Sequence, residues 1–331
     1  MTSTIASDVR AESCTESRTE NHTDNLPQAD TLIIGGSFAG LSAALQLARA
    51  QRRVVIVDAG EPRNRFAHEA HGFFTLDGVA PHEVNARALE PVLRYPTVSH
   101  HKGRVIEAGR DDDGFVIRTE NGDVLRGKSL ILATGVRDEL PWIPGLPERW
   151  GHTVVHCPYC HGYELRGLPI AVLAGSGHSA VQAAMLPDWG PVTYFTQGEF
   201  EPDDEQKALL DKRGVAIERT PIVAIEGPET GGDSLSIAAV RLADGRAMAA
   251  GAVYIAPKTR IAEGLVAQLG LETESMPTGD IIRTDALGQT SVAGVFAAGD
   301  NASGMHNATL ASAAGVMAGV AAHRYLMFGA G

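Results

Sequence analysis

The chain has few cysteines, few aromatic residues and no long apolar segment. Of its 331 residues three are cysteines, and 5% are aromatic. Three cysteines are too few for the disulfide framework of a small extracellular scaffold. No apolar run reaches the roughly 20 residues of a membrane-spanning helix, so we expect no membrane partner. The N-terminal segment also lacks the apolar core of a secretory signal, which predicts a cytoplasmic protein.

Basic residues are scarce relative to acidic ones. The sequence holds 28 Lys and Arg against 40 Asp and Glu, a formal net charge of -12. Such a chain is repelled by phosphate backbones, which argues against a nucleic-acid partner. Residues 1–29 are rich in Ser, Thr, Asp and Glu and have little apolar surface to bury. We predict that they form a disordered tail, which contains Cys14.

Glycine is abundant, and its first cluster follows an apolar run. The chain has 37 glycines, and the run Leu32 to Ile34 predicts a buried parallel strand. The turn Gly35-Gly36-Ser37-Phe38-Ala39-Gly40 comes next, and a helical pattern then leads to a second strand ending at Asp58. A βαβ unit with an acid about 20 residues beyond its glycines is typical of a dinucleotide site.

This first turn has the chemistry of a nucleotide site and one departure from its consensus. The pyrophosphate would bind at the helix N-terminus, where free N–H groups and the helix dipole favour an anion. Asp58 would accept hydrogen bonds from the adenosine ribose. Ser37 stands where the consensus has its second glycine, so the turn must adjust. A glycine turn with a purely structural role is the alternative.

A second apolar strand, glycine turn and helix start follow in the middle of the chain. The turn Gly175-Ser176-Gly177-His178-Ser179-Ala180 fits the pattern G-x-G-x-x-A of nucleotide-binding folds. We expect Pro187 to end the helix at about the preceding residue. A chain of 331 residues is long enough for two such domains.

The motif His156-Cys157-Pro158-Tyr159-Cys160-His161 carries the most specific chemistry. Two cysteines three residues apart at a helix start can close a small disulfide, and the helix N-terminus lowers the pKa of the exposed thiol. A zinc site would need four ligands, and only His156 and His161 are near, so we predict no metal. Two unpaired core thiols are the remaining alternative.

From about residue 30 to 328 the layout resembles the low-molecular-weight thioredoxin reductases. The resemblance implies an α/β fold with two Rossmann-like dinucleotide-binding domains, the second inserted in the first. An FAD domain would comprise residues 30–142 and 257–331, and residues 143–256 would form a pyridine-nucleotide-type domain that carries the cysteines. The family also implies a homodimer, with which a C-terminal helix of small residues is compatible.

The same resemblance implies which residues bind FAD. The strand that ends in Ala133-Thr134-Gly135 would close the first FAD segment, and Asp300, after a later strand, would bind the ribityl chain. A plain turn aspartate is the alternative for Asp300. A helix from Thr309 to Val320 would direct its N-terminus at the flavin pyrimidine. With the first glycine turn and Asp58, the cofactor-binding residues are then Arg65, Val105, Ala133, Thr134, Gly135, Gly299, Asp300, Ala308 and Thr309.

The resemblance also assigns roles around the cysteines. Cys160 would face the flavin as the charge-transfer thiol, and Cys157 would exchange with the substrate. The family carries its proton on an acid after the second cysteine, whereas this chain has His161, an imidazole that titrates near neutrality. A helix-end residue without a proton role is the alternative for His161. His156 and His306 are further candidates for a proton relay.

The segment that would bind the 2'-phosphate of NADPH is the main departure from the reductases. NADPH-using members have an arginine cluster there, but Thr196 to Pro202 contains no Lys or Arg and includes Glu199 and Glu201. A phosphate would be repelled, which makes NADPH binding doubtful.

With the CPYCHGYE motif, this departure resembles the FAD-dependent dithiol oxidases of the gliotoxin and holomycin type. We therefore predict an enzyme that forms a disulfide in a small-molecule dithiol, with O2 as acceptor and H2O2 as product. The main alternative is a thioredoxin-reductase-like disulfide reductase that draws electrons from NAD(P)H or ferredoxin. A flavin redox sensor is the third hypothesis.

Overall fold

The computed structural model describes residues 28–228 and 234–329. Its first strand, β1, is Ala29–Ile34, so the predicted tail reaches one residue too far. Ala29 is buried because it pairs with Gly127 across the first sheet. The rest of the predicted tail, with Cys14, lies outside the described residues.

The first sheet has seven strands. Those that pair in parallel are β1, β2 (Val54–Asp58), β3 (Val98–Lys102), β6 (Val124–Leu132) and β19 (Val295–Ala297). The strands β4 (Val105–Asp111) and β5 (Gly114–Thr119) add an antiparallel edge in the order β3-β2-β1-β6-β5-β4. Parallel strands covered on both faces require continuous apolar runs, which explains the sequence of β1.

Two helices packed on each other cover one face of this sheet. They are α1 (Phe38–Arg49) and α7 (Ala308–Phe328). A Cβ atom at Gly315 would lie 2.1 Å from the carbonyl oxygen of Ala39, and one at Gly319 would lie 2.8 Å from that of Ala43. The small residues of α7 are therefore explained by close packing against α1 within one chain. The predicted helix Thr309–Val320 is confirmed, but α7 continues to Phe328.

A second, wholly parallel sheet has five strands in the order β11-β10-β9-β15-β8. Their bounds are β8 (Val154–Val155), β9 (Ile170–Leu173), β10 (Val192–Phe195), β11 (Ala216–Glu218) and β15 (Ala252–Ile255). The helices of this part are α3 (Pro158–His161), α4 (Ser179–Met185) and α5 (Asp204–Lys212). The helix α4 ends just before Pro187, as predicted, and a short 3-10 helix at Leu186–Asp188 follows it. A small antiparallel sheet completes it: β12 (Ile222–Glu226), β13 (Ala239–Leu242) and β14 (Ala247–Ala249).

The chain passes between the two sheets through one antiparallel ribbon. Its strands are β7 (Arg137–Glu139) on the way in and β16 (Lys258–Arg260) on the way out. The later return of β19 to the first sheet confirms two Rossmann-like units, the second inserted in the first. The boundaries at 142/143 and 256/257 stay predictions, and both fall beside this ribbon.

The remaining elements belong to the outer parts of the first unit. They are α2 (Pro81–Leu93), α6 (Glu263–Leu269) and the hairpin β17 (Thr273–Met276) with β18 (Gly279–Ile282). Among the helices of the described residues, none is both long and apolar enough to cross a membrane.

Candidate active site

The first glycine turn is a close-packed cradle at the ends of β1, β2 and β6. A Cβ atom at Gly35 would lie 2.1 Å from the carbonyl oxygen of Ala133, and one at Gly36 would lie 2.8 Å from the Cβ of Asp58. The Gly36 N–H donates to Asp58 Oδ1 at 3.0 Å. Both positions need glycine because a side chain would strike the neighbouring strand ends. This places the turn and Asp58 together, as predicted.

The N-terminus of α1 is open for an anion. Its N-cap, Ser37, makes no side-chain cap hydrogen bond. The Ser37 hydroxyl instead donates to Asn85 Oδ1 at 3.1 Å. No acidic residue stands in the first turn of this helix, so its free N–H groups and dipole favour a pyrophosphate.

A buried asparagine joins the turn after β6 to the turn after β19. Asn301 is fully buried. Its Nδ2 donates to the Leu132 carbonyl at 3.0 Å and contacts Thr134 Oγ1 at 3.2 Å. Its Oδ1 is also buried, and among the described residues it has no hydrogen-bond partner. Such an atom requires a polar partner, which fits a polar cofactor here. Sequence reasoning missed Asn301, although it directly follows Asp300.

The carboxylate of Asp300 faces an arginine that sequence reasoning also missed. Arg63 Nη1 lies 3.4 Å from Asp300 Oδ2, while its Nε and Nη2 donate to Asp138 at 2.9 and 2.5 Å. The predicted residue Arg65 is exposed, and its guanidinium lies over the Phe66 ring at 4.1 Å. Arg63 could have been found from the sequence because it lies in the same short segment as Arg65, two residues before it.

Four other predicted FAD residues lie at or next to element ends. Val105 is the first residue of β4 and is buried in the core. Thr309 is exposed, and its N–H already donates to Oδ1 of the N-cap Asn307 at 2.8 Å. Ala308 begins α7 and is half-buried. Gly299 has φ +88, and a Cβ there would lie 3.1 Å from the Cβ of Ala39.

The two cysteines form the predicted disulfide. Cys157 and Cys160 are bonded, with their Cα atoms 5.3 Å apart. Cys157 is the N-cap of α3, which is only four residues long, so its dipole acts over a single turn. The Gln182 side chain on α4 donates to the His156 carbonyl at 2.9 Å and holds the start of the motif. Tyr159, between the cysteines, is 73% exposed.

His161 lies in surroundings that favour a neutral imidazole. Both of its ring nitrogens are buried, and among the described residues neither has a well-aligned hydrogen bond, although the Cys157 backbone lies close enough to interact with the ring. Burial lowers the pKa of His161, and the charge of Glu164 opposes this shift only in part. A neutral imidazole is ready to accept a proton.

The other two predicted histidines lie close to the arginine and the cysteine motif. Burial, with a smaller effect of Arg63, lowers the pKa of His156 to about 3, and its ring stacks on Trp150 at 5.8 Å. Burial and Arg63 also lower the pKa of His306. The His156 ring interacts electrostatically with His161 and His306. Arg63 acts on both His156 and His306, which puts the start of the cysteine motif in the same part of the molecule as Arg63 and its partner Asp300.

The second glycine turn is capped by its own side chains. Ser179 Oγ accepts from the N–H groups of Gly175 and Ser176 at 3.1 and 3.2 Å. Ser176 Oγ accepts from the His178 N–H at 3.3 Å. These are the N–H groups that would bind a phosphate at this position, so the turn differs from the open first turn.

Two cations, Arg219 and Lys207, lie near Glu201 in the segment after β10, and Arg219 is fully paired with it. Arg219 Nε and Nη2 bond both oxygens of Glu201 at 2.6 to 3.2 Å. This bridge lowers the pKa of Glu201 and neutralises a charge that the sequence suggested would stand alone. Arg219 therefore reduces the repulsion expected from Glu201, but its guanidinium fork is not free for a phosphate.

Metal chemistry has no assembled ligand set in the part of the chain that the structure describes. No three His, Cys, Asp or Glu side chains come together there as metal ligands. A redox-capable disulfide and an open dinucleotide cradle in one chain of two Rossmann-like units are the architecture of a flavin-dependent disulfide oxidoreductase.

Comparison with known proteins agrees with this class. The model of the pyridine nucleotide-disulphide oxidoreductase family matches residues 29–315, and the chain belongs to this family. It is 36% identical over 310 residues to thioredoxin reductase tcpT of Claviceps purpurea, with 90% of this chain and 94% of that protein covered.

Solved structures share the fold at substantial identity. The oxidoreductase from Agrobacterium tumefaciens is 47% identical with a TM-score of 0.85, over 91% of this chain and 99% of that one. The crystal structure of HlmI is 34% identical with a TM-score of 0.83, over 91% and 93%. The chain is therefore an oxidoreductase of the thioredoxin-reductase-like, flavin-binding type.

Proposed function

We propose that the protein is an FAD-dependent dithiol oxidase that forms a disulfide in a small-molecule dithiol and passes the electrons to O2. The observation that carries this proposal is the contrast between the two glycine turns. The first is open at the N-terminus of α1, whereas the N–H groups of the second are bonded to Ser176 and Ser179. Electrons then enter at the cysteines rather than from NADPH.

FAD fits the first cradle. The turn from Gly35 to Gly40 would hold its pyrophosphate, Asp58 its adenosine ribose and Asp300 its ribityl chain. The orphaned Oδ1 of Asn301 supports a polar ligand at the same place. When bound, FAD supplies the two-electron acceptor that reoxidises the cysteines and the route to dioxygen.

Thiol–disulfide exchange accounts for the chemistry at the cysteines. A substrate thiolate attacks Cys157 Sγ, which breaks the bond to Cys160 and releases the Cys160 thiolate. The second substrate thiolate attacks the substrate sulfur of this mixed disulfide and releases the Cys157 thiolate. The substrate leaves with a new disulfide, having lost two electrons and two protons, and the cysteine pair has gained the electrons.

His161 is suited to take one of the substrate protons. It directly follows Cys160, and among the described residues no side chain bonds its buried nitrogens. Because burial keeps the ring neutral at physiological pH, it can act as a base without prior deprotonation. In this proposal His156 and His306 extend the proton path toward Asp300.

A disulfide reductase is the second candidate, and the name of a relative favours it. The match to thioredoxin reductase tcpT covers nearly the whole chain. In this case the second glycine turn would have to open before a nicotinamide dinucleotide could bind, and Arg219 would have to leave Glu201 before it could pair with the 2'-phosphate of NADPH.

For the dithiol oxidase, the partners that we propose are a small-molecule dithiol, O2 and a second copy of the chain in a homodimer.

Oxygen consumption tests the proposed function. The holoenzyme is mixed with a dithiol such as dithiothreitol, without any nicotinamide, in air-saturated buffer. We expect sustained oxygen uptake with one H2O2 formed per disulfide, and catalase should return half of the oxygen. Turnover that starts only on addition of NADPH or NADH would contradict the proposal and favour the reductase.

A further inference from the structure

A buried arginine connects three distant parts of the chain next to the flavin cradle. Arg63 follows β2, Asp138 lies in β7 and Asp300 follows β19. The side chains of Arg63 and Asp138 are only 15% and 6% exposed. Buried charges of this kind require partners on every side, and here the two carboxylates provide them.

The donors of Arg63 are divided unequally between the two acids. Nε and Nη2 form a two-point bridge to Asp138 at 2.9 and 2.5 Å, which fixes the plane of the guanidinium. Asp138 is itself held by strand pairing, opposite Thr259 in β16. The one donor directed at Asp300 is Nη1, which contacts Oδ2 at 3.4 Å.

This division leaves Asp300 oriented but still able to accept. Arg63 is its only side-chain hydrogen-bond partner among residues 28–228 and 234–329, and the contact involves Oδ2 alone. Oδ1 stays available to a hydroxyl donor. If Asp138 were removed, the guanidinium could turn and bond both oxygens of Asp300, and this acceptor would be lost.

We propose that Arg63, anchored by Asp138, is a positioning residue for the cofactor, which presents Asp300 Oδ1 to the ribityl hydroxyls. This inference rests on the proposed FAD site. Arg63 acts on the cofactor through Asp300, so its effect must disappear when Asp300 can no longer bind. Removal of the Asp138 carboxylate must weaken cofactor binding although this carboxylate bonds Arg63 and not Asp300.

A double-mutant cycle on FAD affinity tests this inference. FAD dissociation is measured by flavin fluorescence on dilution of the holoenzyme for Arg63→Gln, Asp138→Asn, Asp300→Asn and the double variant of Arg63 and Asp300. Each single variant should raise the Kd about tenfold or more, as loss of a charged hydrogen bond does. The double variant should bind no more weakly than Asp300→Asn alone.

Arg241→Gln is the matched control. Arg241 makes the same two-point bridge, to Glu226 at 2.9 Å, but in the small antiparallel sheet of the inserted unit. The FAD affinity of the Arg241→Gln variant should equal that of the unsubstituted protein. Should Arg63→Gln fail to fold, Arg63→Lys takes its place in the cycle, with a smaller loss expected from a single ammonium.

The outcomes separate the two claims. A normal Kd for Arg63→Gln beside a weakened Asp300→Asn overturns the positioning role and leaves the FAD site intact. The positioning role is also overturned if Arg63→Gln causes the same loss of FAD affinity in the unsubstituted protein and in Asp300→Asn. Arg63 would then act independently of Asp300. An unchanged Kd for Asp300→Asn overturns the proposed FAD contact itself, and the positioning role with it.

Discussion

At the scale of single residues, burial determines what His161 can do. A histidine with an ordinary pKa of about 6.5 would be partly charged in the cell. Burial in the folded protein lowers the pKa of His161, so its proton-accepting form predominates at pH 7. The acid limb of the rate profile should therefore lie below pH 6.5, and activity should fall only as the ring becomes protonated.

His161→Ala should remove the acid limb of the pH–rate profile. We expect the rate of dithiol-driven flavin reduction at pH 7 to drop about a hundredfold, as for loss of a general base. Stopped-flow absorbance between pH 5 and 9 measures it. His82→Ala, at an exposed site on α2, is the control and should match the unsubstituted enzyme. An unaltered pH–rate profile for His161→Ala would remove the residue from the mechanism.

The two cysteines should fail in different ways when replaced by serine. In Cys160→Ser, Cys157 can still form a mixed disulfide with a substrate disulfide but has no internal thiol to resolve it. In Cys157→Ser the exchange thiol is absent. With Cys14 also replaced by serine in both variants, intact-protein mass spectrometry after incubation with the oxidised substrate should show an adduct on Cys160→Ser only. Neither variant should reduce its flavin with a dithiol, and persistent reduction in Cys160→Ser would contradict the relay.

At the scale of secondary-structure elements, α7 packs in close contact with α1, the helix that follows the first glycine turn. Gly315→Val would place side-chain atoms against the Ala39 backbone, where even a Cβ lies 2.1 Å from the carbonyl oxygen. We expect a loss of about 1–3 kcal/mol in the free energy of unfolding, as for an overpacked core.

Urea unfolding followed by circular dichroism measures this loss. Ala313→Val on the same helix is the control, because Ala313 is exposed and accepts the same side chain without a clash. If both variants unfold at the same urea concentration, the proposed packing of α7 on α1 is wrong.

Local patterns predicted these elements well, because each depends on short stretches of chain. The apolar run before Gly35 and the acid at Asp58 identified β1 and β2, and Pro187 identified the end of α4. The length of α7 was underestimated because its small residues pack against α1, which is distant in the sequence. Arg63, Asp138 and Asp300 could not be grouped from sequence, because only the folded sheet brings positions so far apart together.

The same limit applies to the second glycine turn. Its pattern G-x-G-x-x-A is that of an open nucleotide site, yet Ser179 Oγ occupies two of its N–H groups. A serine at this place can point toward the turn or away from it, and the sequence does not distinguish these rotamers. Likewise, the pairing of Glu201 with Arg219 depends on β11 lying beside β10.

At the scale of the whole molecule, the inserted unit positions the cysteines, and in our proposal it binds no electron donor. Its helix α4 holds the His156 carbonyl through Gln182, and its glycine turn is bonded to itself. The first unit supplies the cradle for the flavin. The direction of electron flow, from a dithiol through Cys157 and Cys160 to the flavin, is the central claim that follows.

Anaerobic stopped-flow spectroscopy of the holoenzyme tests this claim most directly. Dithiol, NADPH and NADH are each mixed with the oxidised enzyme, and flavin absorbance is followed before and after air is admitted. We predict rapid bleaching by the dithiol alone, and recovery with H2O2 formation in air. Bleaching by NADPH or NADH at a rate that matches turnover would contradict the account.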